Sequence, residues 1–185
     1  MLYGFLVDDL YEQRLIERTK KGDKDAFELL VNLYIQALYK YLLFHVKSST
    51  DANDIAQETM LSIWQSIVTY EYRSSFKTWM FSIAKRRLAD YYRKNSRNEI
   101  LPLTDFENVV TIENNLDDSI ESMDVEQALT KLNSEDNELV FLVFQAQFSY
   151  QEISELLDIP IGTVKSRMSS IKAKLKNLLS WEGYR

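Results

Sequence analysis

The chain has 185 residues, a hydrophobic content of 45% and a net charge of −6, with 4 Gly and 2 Pro. So few turn residues disfavour a sheet protein and point to an all-α fold. The absence of Cys and the single histidine, His45, exclude a disulfide framework, thiolate metal sites and most zinc or histidine-base chemistry, so no cofactor is expected.

The N-terminal stretch MLYGFLVDDLY lacks the basic leading segment of a signal peptide. No run approaches the roughly 20 apolar residues of a spanning helix. A cytoplasmic protein without membrane insertion is the expectation.

A first helical block is expected over 10–97. In KKGDKDAFELLVNLYIQALYKYLLFHV, Asp23 can cap a helix whose inward stripe is Phe27, Leu30, Tyr34, Leu38 and Tyr41. A second helix, DANDIAQETMLSIWQSI, turns Ile55, Ile63, Trp64 and Ile67 inward. After the loop VTYEYRSS comes a third, FKTWMFSIAKRRLADYYRKN, with Phe76, Trp79, Met80, Ile83, Ala84, Leu88 and Tyr91 on its buried side. Its C-terminal half is basic, which suits the negative end of the helix dipole.

Charge is strongly segregated along the chain. Arg73 to Arg97 contains eight basic residues opposed only by Asp90, whereas Asn98 to Glu126 contains nine acidic residues and no basic one. Residues 98–120 show no sustained period and are read as an acidic flexible linker. Two basic surfaces separated by an acidic tether are a statement about anionic partners, not about fold.

Helical patterning resumes over 121–181, giving a second small bundle. Ser149 followed by Glu152 is a capping box, and Ile153, Leu156 and Leu157 form the apolar face behind it. Ile159-Pro160 stops that helix, and Pro160 can enter the first turn of the next. There Val164, Met168 and Ile171 face inward, while Lys165, Ser166, Arg167, Ser169, Ser170 and Lys172 face outward. Gly162 leaves room for a close approach, and Thr163 can bond a phosphate. Two readings fit: a helix-turn-helix on duplex DNA, or a helical hairpin with a solvated basic face. The absence of acidic residues from Pro160 to Ser180, against five basic ones, favours DNA.

The ordered stretches DANDIAQETMLSIW, FKTWMFSIAKRRLADYYRKN and SYQEISELLDIPIGTVKSRM resemble the extracytoplasmic-function sigma factors of bacterial RNA polymerase. The first two look like sigma region 2 (10–97), the last like region 4 (121–181). The resemblance implies that Asp54, Gln57 and Glu58 dock on core RNA polymerase. It implies that the third helix and its preceding loop engage and melt the minus-ten promoter element. Tyr70, Tyr72 and Arg73 would then contact an unpaired base, with Lys77, Lys85, Arg86, Arg87, Arg93 and Lys94 on phosphates. Phe76 and Trp79 are ambiguous, their phase favouring core packing over base contact.

By the same resemblance, Lys165, Ser166, Arg167, Ser169, Ser170 and Lys172 would read the minus-thirty-five element as duplex, with Thr163 on the backbone. The chain departs from the family at Ser169-Ser170, where many members carry an aromatic or His followed by Arg. Asp158 stands where Gly is usual, and Ser154 where Ala is usual. Fewer strong base contacts and an unusual promoter preference are expected. An anti-sigma protein is a further implied partner. Two readings of the linker acids stay open: they shield the basic surfaces in the free protein, or they form a solubilising disordered spacer. A stand-alone helix-turn-helix regulator is the competing reading; no nucleophile–base pair, phosphate loop or ligand cluster supports an enzyme.

Overall fold

The computed structural model describes residues 9–98 and 127–182, and among these every regular element is helical. Contacts divide the chain into two units that part between Asn98 and Glu99. Each unit has its own core.

The first unit holds α1 (Asp9–Lys20), α2 (Lys24–Asn32), α3 (Ile35–Val46), α4 (Ser49–Ser66) and α5 (Phe76–Asn98), with a 3-10 turn at Ile67–Thr69. Helix starts follow the capping chemistry of the sequence. The Asp23 carboxylate accepts the Ala26 amide, and the Ser48 hydroxyl accepts that of Asp51. Caps of this kind are each worth about 1 kcal/mol. The core gathers Leu15 and Ile16 from α1, Leu30 from α2, Leu38, Tyr41 and Leu42 from α3, Ile55 and Ile63 from α4, and Phe76, Met80, Phe81 and Ala84 from α5.

Two features differ from the sequence expectation. The helical stretch expected from the Asp23 cap to Val46 is broken at Leu33–Tyr34, and its halves α2 and α3 meet at 61°. No Gly or Pro marks the break. The Tyr34 amide instead bonds back to the Val31 carbonyl at 2.9 Å, its hydroxyl donates to Glu12 of α1, and its ring lies 6.1 Å from Phe76. Tertiary contacts, not local propensity, set the bend. The other is α1, whose residues are half charged and which buries only Leu15, Ile16 and Thr19. So thin a stripe is a weak periodic signal.

In the second unit, residues 127–130 are helical. They are followed by α6 (Ser134–Val140), a π-helical turn at Phe141–Gln145, α7 (Tyr150–Leu157) and α8 (Ile161–Glu182). The Asn133 side chain accepts the Asp136 amide at 2.7 Å to open α6. No local residue pattern signals the π turn, in which the Ala146 amide reaches the Phe141 carbonyl at 3.0 Å. The extra residue leaves Phe144 58% exposed while Phe141, Leu142 and Phe148 are buried.

Among the described residues no single helix is long and apolar enough to cross a membrane. The linker expectation for 98–120 falls, beyond Asn98, outside the described residues.

Candidate nucleic-acid interfaces and docking face

The α7–turn–α8 unit is fixed by local bonds at each corner. The capping box forms in full: the Ser149 hydroxyl accepts the Glu152 amide, and the Glu152 carboxylate accepts the Ser149 amide at 2.9 Å. Asp158 ends α7 at φ 56°, the left-handed conformation that Asp tolerates better than most residues. Ser154 donates its hydroxyl to the Ile159 carbonyl at 2.6 Å, tying the turn in a way alanine could not. The Pro160 carbonyl then accepts the Thr163 and Val164 amides and launches α8.

On α8, Val164, Met168 and Ile171 are buried, while Lys165, Ser166, Ser169, Ser170 and Lys172 are exposed and Thr163 is half-buried. One expected reading residue is already engaged. The Arg167 guanidinium, 39% exposed, is paired with Glu135 of α6. Lys174 makes a similar pair with Asp136 at 3.2 Å. The sequence reading missed both acids, because nothing local links α6 to α8.

Gly162 has no positive φ, and a Cβ built there would meet nothing within 4 Å. The fold itself does not demand glycine. Gly162→Ala is therefore expected to hold or raise thermal stability, by about 0.4–1 kcal/mol through the unfolded state. On the expectation that a DNA backbone approaches the helix start, the added methyl group of the same variant should weaken duplex binding several-fold. A thermal melt and a duplex titration on one preparation check both halves.

In the first unit, a recess of roughly 330 Å³ is lined by Thr69, Tyr70, Glu71, Arg73, Ser74 and Trp79. Tyr72 beside it is 44% exposed and sits at φ 58°, and Arg73 is exposed and paired with Glu71 at 2.6 Å. Tyr70 departs from the expectation of an exposed base contact. It is 4% exposed, its hydroxyl donates to the Ser74 carbonyl at 2.7 Å, and its ring packs 5.8 Å from Phe76 and 5.1 Å from Trp79. Burial pushes its phenol up to about 12. Tyr70 walls the recess rather than offering an open stacking face. Phe76 is fully buried, as its phase requires, whereas Trp79 is only half-buried and reaches the recess.

The cations of α5 divide into two groups. Lys85, Arg86, Arg93 and Lys94 are exposed, and Lys77 and Arg87 are half-buried. Asp90 accepts from Arg87 at 3.3 Å and pairs with Arg93, and Arg87 also donates to the Ser62 hydroxyl at 3.1 Å. The lone acid of the basic stretch thus orders two arginines on one helix face.

Asp54, Gln57 and Glu58 are all exposed on α4, the latter two each about one turn from Asp54 on the same face. They are accompanied by an apolar trough between α3 and α4 that the sequence reading missed. It is lined by Ile35, Gln36, Tyr39, Asn53, Ala56, Gln57, Met60 and Leu61, spans roughly 710 Å³ and leaves Leu61 61% exposed. Met60 and Leu61 lie off the Ile55–Ile63–Ile67 stripe, and that displacement was the available signal.

Comparison with known proteins agrees with this geometry. Residues 30–98 match Sigma-70 region 2, and residues 122–175 match Sigma-70, region 4. The chain is 31% identical to the ECF RNA polymerase sigma-E factor of Haemophilus influenzae, covering 93% of this chain and 97% of that protein. It is 28% identical to the ECF RNA polymerase sigma factor SigW of Bacillus subtilis, over 90% and 96% of the two chains. It is also similar to the solved structure of the sigma factor RpoE in complex with the anti-sigma factor NepR from Bartonella quintana. There the TM-score is 0.65 and the identity 27%, over 83% of this chain and 96% of that one. Two sigma regions in order, with a relative matched over nearly its whole length, place this chain in the ECF family of RNA polymerase sigma factors.

Proposed function

We propose that the chain joins core RNA polymerase through the α4 face and directs it to promoters by two contacts, each made by one unit. The observation that carries this reading is the pairing of two basic surfaces in one chain. One is the outward face of α8 on its apolar backing; the other is α5 behind an aromatic-walled recess. Region 2 is assigned to 10–97 and region 4 to 121–181, with 98–120 as the tether.

In region 4, Lys165, Ser166, Arg167, Ser169, Ser170 and Lys172 meet the minus-thirty-five duplex, with Thr163 on its backbone. Two hydroxyls at Ser169-Ser170 supply weaker discrimination than a bidentate arginine would. In region 2, Tyr72 and Arg73 stand at the mouth of a recess suited to one unpaired base of the minus-ten element. The exposed cations of α5 neutralise phosphates along the strand. Melting then follows from trapping the unpaired base, and the polymerase supplies the chemistry. Because both units act through one polymerase, modest individual affinities combine through effective concentration. A stand-alone regulator would leave the recess, α5 and the α4 face without a task.

A solved relative is held by an anti-sigma factor, and a partner of that kind is proposed for this chain. The trough beside Gln57 gives the docking face an apolar component, so charge alone does not carry the binding. Exchanging Asp54, Gln57 and Glu58 together for alanine is expected to weaken core polymerase binding at least about tenfold. The same variant should bind an isolated duplex as the parent does. A titration of labelled protein with core polymerase measures the first, and equal affinity in parent and variant would remove α4 as the docking element.

A further inference from the structure

The loop that carries Tyr72 is held by a helix far away in sequence. The Tyr72 hydroxyl donates to the Glu17 carboxylate of α1 at 2.7 Å, a contact across 55 residues. The Lys20 ammonium lies 4.4 Å from the centre of the Tyr72 ring and 5.8 Å from that of Tyr70. Lys20 also pairs with Glu17 at 3.3 Å, and its side chain is only 19% exposed, unusual for a lysine on a short surface helix. The two tyrosine rings sit 4.8 Å apart. One carboxylate and one ammonium of α1 therefore hold a single phenol, the first at its hydroxyl and the second over its ring face.

The grip matters because Tyr72 occupies the left-handed region at φ 58°. A bulky residue is strained there, so the loop would not select this conformation unaided. Strain of this kind persists only where surrounding contacts over-determine it. Bonding to Tyr72 comes first, and the neighbouring Lys20 second, in holding the Glu17 carboxyl below its usual range. The acceptor thus stays ionised for the phenol.

We propose that Glu17, with Lys20, is a positioning residue for base selection. By clamping Tyr72 it fixes the mouth of the recess and so decides which unpaired base is accepted, without touching the DNA itself. This rests on the reading of the recess as a base site. It adds a role to α1, a helix that the sequence had not distinguished.

The test uses full-length protein with core polymerase and a single-stranded library randomised over the minus-ten positions, with the bound fraction sequenced. Glu17→Ala and Tyr72→Phe each remove one end of the bond. Each is expected to flatten the preference at the same single position by about three- to tenfold, and Glu17→Ala, which removes no group that touches DNA, to hold total binding within about twofold. The double variant should add nothing further, and Glu17→Gln, which still accepts from the phenol, should restore the parent profile. If both single variants leave the profile unchanged, or lower binding of every sequence equally, the clamp is overturned. Tyr72→Ala separates the two ideas. If it alone shifts the profile, the base site stands and the clamp falls; if it too leaves the profile unchanged, the base site falls and takes the clamp with it.

Discussion

Exchanging Lys165 and Arg167 together for alanine is expected to abolish promoter-specific initiation while leaving the protein folded. Both side chains stand on the outward face of α8, and Val164, Met168 and Ile171 behind them remain in place. A good base contact is worth about 1–3 kcal/mol of discrimination, so losing two removes roughly 30-fold or more from duplex affinity. The arginine contribution is reduced by its pairing with Glu135, which must break before DNA is engaged. An exposed pair of this kind costs only about 0–1 kcal/mol to break, less than the proposed base contact would supply. Duplex titration at fixed salt measures the loss, and an unchanged thermal melt assigns it to the interface.

Phe76→Ala is expected to produce the largest loss of stability, about 3–5 kcal/mol. Phe76 is fully buried at the start of α5, with its ring 6.1 Å from Tyr34, 5.8 Å from Tyr70 and 5.8 Å from Trp79. It therefore supports the α2–α3 bend and the wall of the recess at once. A small domain has about 5–15 kcal/mol in total, so the first unit would lose a large share of its stability. Phe76→Leu, which retains most of the volume, should cost less than half as much. Denaturant unfolding of the two variants checks the order. Loss of single-strand binding in Phe76→Ala at temperatures where it is still folded would report the recess separately from the core.

What could be read from the sequence is what local chemistry encodes. Ser149 and Glu152 formed their box, Asp23 capped α2, Asp158 adopted the left-handed turn, and the Val164–Met168–Ile171 spacing placed the outward residues of α8. What could not be read depends on partners distant along the chain. The α2–α3 break has no breaker residue and follows from Tyr34 meeting Glu12 and Phe76. Tyr70 looked like a loop aromatic, but closure onto Ser74 and Trp79 buried it. Glu135 gave no hint of reaching Arg167. Ser154, expected from the resemblance to depart from the usual Ala, ties the turn through its hydroxyl on the Ile159 carbonyl, a bond that exists only in the folded turn.

Run-off transcription by core RNA polymerase on genomic promoter fragments, with and without this protein, is the most direct test of sigma activity. Discrete transcripts should arise only when the protein is present, and the Lys165/Arg167 double variant should lose them. Duplex binding in the absence of polymerase, with no new transcript when core is added, would contradict a sigma role.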